Sequence, residues 1–382
     1  MTWVGILGML LSLAVFPFAF VRRTGGRVAI FMLAALVHIG TAAVYYLWVK
    51  AGNTADTILY YYDPFKMMGT GLRPGTLFAL YMVQTLKESI GGTYLDFFLL
   101  FQAFGFWGIA FMMRTVEEIY AELDTVQPRL TYLVFFLPGV HFWTSAIGKD
   151  APLFFAVSLA IWAAMRLKTR IPAFAFALFV MVLFRPHIAL MASVSMALAA
   201  FFDPRASGWV KITLLVLAFG GMAVFAGTVQ TSFAVDVTSA DSISEFISRN
   251  NEVSKKMGGG SAVIGASYPV KLLSLLFRPL FLDAQGPFGL IASFENLFIL
   301  FMIGTMVKRF RDSLQLTRQV FFIRFALVFS IIITLTLALV YYNVGLGLRQ
   351  KMMIMPGLLV FFAALWGVRQ VKNQSNLALS YA

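Results

Sequence analysis

Apolar residues run through this chain in blocks of roughly 20, the length needed to cross the hydrocarbon core of a bilayer, with short polar or basic joints between them. The blocks lie near 3–21, 28–49, 93–113, 130–147, 151–166, 171–185, 188–202, 211–229, 287–307, 320–342 and 352–368. They predict an all-α polytopic membrane protein with about 11 transmembrane helices, built as a single integral-membrane domain over 1–382. The blocks 151–166, 171–185 and 188–202 are short for a full crossing, so the middle of the chain fits tilted, broken or re-entrant helices equally. The first block has no basic residue before it and is followed by Arg22 and Arg23, a pattern expected of a first span rather than a cleaved signal peptide.

Composition agrees with this reading. The chain is 60% hydrophobic and 12% charged, with a mean hydropathy of +0.83, which no water-soluble domain of 382 residues would tolerate. It contains no cysteine, so neither a disulfide framework nor a thiolate metal site is available, and helix packing must hold the fold. The net charge of +13 raises nucleic acid as a partner, but retention of Lys and Arg on the cytoplasmic side explains it better. With the N-terminus outside and the C-terminus cytoplasmic, every inner segment is basic, and Arg324 snorkels to that side. The inner side then holds 17 basic and 6 acidic residues, and the outer side 13 and 11. Nucleic acid is therefore not expected.

This orientation puts two long segments outside, 50–92 and 230–286. The first carries an amphipathic stretch, Gly75 to Ile90, and the second carries another, Tyr268 to Leu282; both are expected to lie along the membrane surface. The remaining outer charges sit at span ends: Asp56, Asp63, Lys149, Asp150, Arg185, His187, Arg249, Glu252, Arg278, Arg349 and Lys351. Ionisable groups at such positions are costly unless they face a polar cavity or one another, which predicts convergence on one extracytoplasmic site.

Two hinges organise the candidates. One is Gly139 to Phe155, where adjacent Lys149 and Asp150 join two apolar runs; the other is Phe184-Arg185-Pro186-His187. Arg185, Arg249, Arg278 and Arg349 offer permanently charged forks for phosphate oxygens, and Lys149 and Lys351 add point charges, so a diphosphate is the expected ligand. The alternative for each arginine is a headgroup anchor or a structural ion pair, and for Arg278 and Lys271 lipid contact is favoured.

Asp56, Asp150 and Glu252 are candidate general bases toward a sugar hydroxyl, with His187 as a base or donor to the leaving phosphate. Asp150 has the alternative role of a helix cap. Tyr62, Asp63 and Trp143 are the candidate sugar contacts, with an interfacial aromatic belt as the alternative for the aromatics. His38 and His141 read as packing residues, and Glu295, inside a span beside Asn296, as half of a structural pair. No phosphate-binding Gly-rich loop, zinc-ligand pair or nucleophile elbow is present, and neither a metal nor a cofactor is expected.

Asp56, Tyr60-Tyr61-Tyr62-Asp63, the segment Phe142 to Asp150, Arg185-Pro186-His187 and Arg349 ahead of Pro356 together carry a resemblance. The chain resembles bacterial polysaccharide polymerases of the Wzy and EpsG type, integral-membrane glycosyltransferases of the GT-C class. The resemblance implies transfer of a glycan from an undecaprenyl-diphosphate-linked donor to a lipid-linked oligosaccharide acceptor. It implies a bacterial plasma (inner) membrane location with the site facing the periplasm or exterior, and a chain-length regulator as a candidate partner besides membrane lipids. A flippase for lipid-linked oligosaccharide and an O-antigen-ligase-like transferase are the alternatives. A transporter tends to show paired repeats and midplane charges; here no repeat is apparent and the charges gather at one face.

Overall fold

The computed structural model describes residues 1–382 apart from 24, 54, 63–72, 234–238, 240, 243, 246–247, 250–251, 253–262, 264, 341–342 and 381–382, with side chains at 129–130, 224–233 and 372–380 also left undescribed. Among the described residues the structure is all-helical, without strands. The helices group into two compact units: Met1–Pro186 with Leu359–Ala382, and His187–Leu358.

The first unit contains α1 (Trp3–Leu10), which continues as π-helical turns to Val21, α2 (Val28–Lys50), α3 (Asp56–Tyr62), α4 (Thr76–Ile90), α5 (Tyr94–Glu122), α6 (Arg129–Leu133), α7 (Pro138–Thr144), α8 (Asp150–Met165) and α9 (Leu167–Phe184). The second contains α10 (Pro186–Phe201), α11 (Gly208–Phe233), α12 (Tyr268–Phe277), α13 (Gly286–Lys308), α14 (Phe310–Gln319), α15 (Phe321–Val340) and α16 (Val344–Gln350). The unit boundary falls within the first residues of α10 and again within α17 (Met355–Ser380).

Among the described residues, six helices are long and apolar enough to cross a membrane: Trp3–Val21, α2, α5, α9, α13 and α15. A bent pair, Val344–Met353 with Met355–Val371, has the geometry of a broken span or a re-entrant loop and brings the number to seven if counted as one span. These correspond to seven of the expected blocks. Three more, near 151–166, 188–202 and 211–229, form α8, α10 and α11; α8 and α10, with 16 residues each, rise only about 24 Å against a core of about 30 Å, and the apolar part of α11 with described side chains is Gly208–Ala223. The block 130–147 is broken. Leu137 is extended (ψ 122) before Pro138, which disfavours the helical region for its predecessor, so α6, a 3₁₀ turn at Val134–Phe136 and α7 replace one rod.

α5 is the axis of the first unit. Thr93 and Asp96 cap its start reciprocally, and nearly every residue from Tyr94 to Tyr120 is buried against α1, α2 and α8. Small residues allow these close approaches: Gly8 lies against the Leu99 backbone, Gly105 against the Thr144 carbonyl and Gly108 against the Phe154 ring. Toward the outside, α2 keeps Leu33, Leu36, Val44 and Leu47 exposed, as a helix with one side turned to lipid should.

The first expected amphipathic stretch forms α4; of the second, Tyr268–Phe277 forms α12, and the chain leaves the helix at Arg278. α12, however, buries Lys271, Ser274 and Leu275 against neighbouring helices of its unit. Lys271 is thus not a simple lipid-facing cation: only 7% of it is exposed.

Candidate functional site

In the first unit three chain segments distant in sequence meet around the α7–α8 joint. α7 ends at Thr144, and Gly148 adopts φ +138, a backbone state that a side chain would strain. A Cβ there would also run into the Tyr60 ring, so glycine is required twice over. Lys149 follows as the residue before α8, and Asp150 opens the helix.

Asp150 Oδ1 accepts from Arg185 Nη2 at 2.8 Å. The two side chains are only 10% and 12% exposed, which places a directed, charge-assisted contact in a partly dry setting. Its position in the first turn of α8 also lets the carboxylate complement the helix dipole. Arg185 reaches Asp150 because α9 stops at Phe184: the Arg185 backbone leaves the helix (φ −152, ψ 87) ahead of Pro186.

Lys149 Nζ donates to Thr76 Oγ1 at 2.8 Å, at the first residue of α4. The Gly75 amide donates to the Leu183 carbonyl at 2.8 Å, which ties the start of α4 to the end of α9. Lys149, Asp150 and Arg185 are therefore brought together, with Thr76 as a neighbour that the sequence did not single out. Residues 73 positions apart carry no local signal of contact.

α3 supplies the floor. Tyr60 is buried under Gly148, and Gln84 Nε2 holds the Tyr60 and Tyr61 carbonyls at 2.8 and 3.2 Å. Lys87 donates to the Tyr61 carbonyl and sits 4.2 Å from the Tyr61 ring centre. Burial, and then the neighbouring Tyr62 and Asp96, pushes the Tyr61 phenol up, so it remains a protonated donor to the Gly92 carbonyl at 2.7 Å. Asp56 is exposed in the first turn of α3, one turn before Tyr60 and on the same helix face. Tyr62 is exposed beside Tyr61 and Tyr94, whereas Trp143 is partly enclosed edge-on to Phe142 and Tyr45. Asp63 lies outside the described residues.

The second unit holds the other candidates. Lys351 requires a correction: expected to bind diphosphate, it is 2% exposed, and its ammonium reaches Asn296 Oδ1 at 2.5 Å and the Leu276 and Arg278 carbonyls at 3.2 and 3.3 Å. Three acceptors engage all three hydrogens, so none is left for a phosphate. Asn296 Nδ2 in turn donates to the Pro279 carbonyl at 2.7 Å, and the Glu295 carboxylate acts electrostatically on Lys351.

Arg278 Nε donates to Asp283 Oδ2 at 2.5 Å and so closes its own turn. Arg249 is exposed, with Glu245 one turn away at 3.8 Å, and Glu252 is exposed as well. His187 and Arg349 are half-buried, near the start of α10 and the end of α16. Arg324 is buried, donating to the Ala199, Thr317 and Arg318 carbonyls, with Asp203 3.4 Å from Nη1.

At the far end of α8 is a network absent from the sequence reading. Arg114 meets Glu117 at 2.5 Å and Glu118 at 3.6 Å, and Arg170 meets Glu118 at 2.8 Å. Arg166 meets Glu122 at 3.3 Å and Glu118 at 3.9 Å. Trp162 Nε1 donates to Glu118 at 3.0 Å, and the Arg170 guanidinium stacks 3.7 Å from the Trp162 ring centre. The spacing of Arg114, Glu117 and Glu118, three and four residues apart, was the available signal; the sequence reading ended the span at 113, whereas α5 continues to Glu122.

Fold and composition together define an all-helical, polytopic membrane protein. Comparison with known protein families, curated proteins and solved structures finds no match. Among the described residues no group of three or more His, Cys, Asp or Glu side chains is placed to hold a metal ion.

Proposed function

We propose that this chain is a membrane glycosyltransferase of the polysaccharide-polymerase class, which moves a glycan from a polyprenyl-diphosphate carrier onto a lipid-linked acceptor. The observation that carries the reading is the contact of Arg185 with Asp150 beside Lys149, which brings the two hinge cations to one end of α8. The resemblance of Phe142 to Asp150 to such polymerases supports it from the sequence side. In the proposed reaction the acceptor hydroxyl oxygen attacks the anomeric carbon as the bond from that carbon to the diphosphate oxygen breaks. The departing diphosphate takes the electron pair and is met by Arg185 and Lys149, the kind of preorganised charge stabilisation that dominates many catalysed transfers.

Asp150 is already engaged by Arg185 and serves to aim it. Asp56, exposed one turn from Tyr60, is the better recipient of the hydroxyl proton. The proposed topology keeps about eleven membrane-inserted segments, with the N-terminus and the Asp150 end of α8 outside and the C-terminus cytoplasmic, as the distribution of basic residues favours.

The test is the lipid-linked glycan profile of cells lacking this chain, complemented with wild type or with Arg185→Ala. Accumulation of a single lipid-linked repeat on the outer leaflet, with loss of long polymer, is expected for the deletion and for the variant. Accumulation on the inner leaflet would instead mark a flippase, and unchanged polymer in both would remove the reading.

A further inference from the structure

α2 and α7 bring two histidines face to face in the interior of the first unit. His38 Nδ1 lies 3.0 Å from His141 Nδ1, and His141 Nε2 lies 2.9 Å from the Phe135 carbonyl. Both residues are fully buried. α5 completes the enclosure with Gly105, whose missing side chain leaves room for His38 Nε2 and the Thr144 carbonyl.

The hydrogen positions follow from the partners. A carbonyl only accepts, so His141 Nε2 carries a hydrogen. A neutral His141 then presents a bare Nδ1, and the hydrogen between the two rings belongs to His38 Nδ1. That leaves His38 Nε2 bare in the neutral pair. Among the described residues it has no hydrogen-bond partner; the Thr144 carbonyl, also an acceptor, shares the space over Gly105 with it, and the Thr144 and Gln102 carbonyls both act on the His38 ring. A buried acceptor beside acceptors is unfavourable, and one added hydrogen turns it into a donor facing a receiver.

We propose that the His38–His141 pair is a binding site for a single proton, taken up at His38 Nε2 and shared as one positive charge across the two imidazoles. The Nε2–H bond forms as hydronium gives up its proton to become water, and the hydrogen bond between the rings stays intact. A second proton has no place, because the only remaining nitrogen, His141 Nδ1, faces the Nδ1–H of His38. Ionisable side chains on this pair of helices and on α5 are turned elsewhere. Asp96 is bonded to Thr93 and Thr2, Arg114 to Glu117, and Lys50 sits over the Tyr46 ring. α7 holds no other ionisable group, and the side chain of Gln102 is committed to Gly8, Ser12 and Leu99. Thr144 ends α7 directly before the Ser145–Lys149 joint, so the carbonyl that receives the added hydrogen lies at the root of that joint. The proton site stands whether or not the chain transfers sugars.

The experiment uses full-length protein with ¹⁵N-labelled histidine rings in lipid nanodiscs, carrying His187→Asn so that only the pair contributes. Ring nitrogen shifts then count protonated nitrogens as pH is lowered. The expected count rises from two to three and stays at three for as long as the protein is folded. A count fixed at two until unfolding, or one reaching four in the folded protein, overturns the proposal. Should His187→Asn fail to fold, the nitrogen–nitrogen coupling across the shared hydrogen bond identifies the pair's signals in the wild type, and the same count decides.

Discussion

The two ends of α8 handle charge in opposite ways. At the Trp162–Arg166 end, Arg114, Arg166 and Arg170 face Glu117, Glu118 and Glu122, and each cation has at least one carboxylate within 4.0 Å. At the Asp150 end, Arg185 donates to Asp150 and the adjacent Lys149 donates to the Thr76 hydroxyl, at the two hinges that open α8 and follow α9. The first network ties three helices together through carboxylates. The second collects the hinge charges that the proposed function assigns to a diphosphate, and on this contrast the functional reading rests.

The largest effect on stability is expected at the Trp162–Arg166 end. Glu118→Ala would leave Arg114 and Arg170 without their shared carboxylate, and loss of one partner from a buried ion pair costs about 3–5 kcal/mol. Thermal unfolding in detergent, compared with wild type, measures it. At the Asp150 end the effect should fall on activity. Arg185→Lys keeps the charge but loses the planar fork, and a drop of about 10²-fold in polymer formation is expected at matched protein levels.

Gly148→Ala sharpens the contrast from the backbone side. Strain at a positive φ and collision with Tyr60 together should cost about 1–3 kcal/mol, read as a lower unfolding midpoint. Lys149→Gln should lower polymer formation roughly tenfold while moving stability by less than about 1 kcal/mol, since its contact with Thr76 is exposed.

The smallest effect belongs to a pair away from α8. Burial pushes the Asp283 carboxyl up, but hydrogen bonds from Arg278 and the Leu280 amide outweigh it, and the net shift is downward. A depressed carboxyl contributes stability above its unfolded value, about 3.9, which is lost as pH falls through the folded one. Asp283→Asn should therefore flatten the acid limb of the stability curve slightly.

The sequence made the membrane spans legible because hydropathy over about 20 residues is a local property. The Lys149-Asp150 and Arg185 hinges were legible for a related reason, since charges between apolar runs stand out. What remained hidden was three-dimensional. Arg185 finds Asp150 across 35 residues and Lys149 finds Thr76 across 73, and no periodicity encodes either meeting. Lys351 resembled a free cation because its acceptors include two backbone carbonyls, which leave no side-chain signature. His38 and His141 passed as packing residues; only the Phe135 carbonyl fixes which nitrogens carry hydrogen.

Polymer formation per folded molecule, measured side by side for Arg185→Lys and Glu118→Gln with folded protein quantified in the same membranes, tests the central contrast most directly. Arg185→Lys should accumulate single lipid-linked repeats at normal protein levels, while Glu118→Gln should lower the amount of folded protein and leave activity per molecule near wild type. Equal loss of activity per molecule in both variants, or full activity in Arg185→Lys, would contradict the assignment of the Asp150 end as the working site.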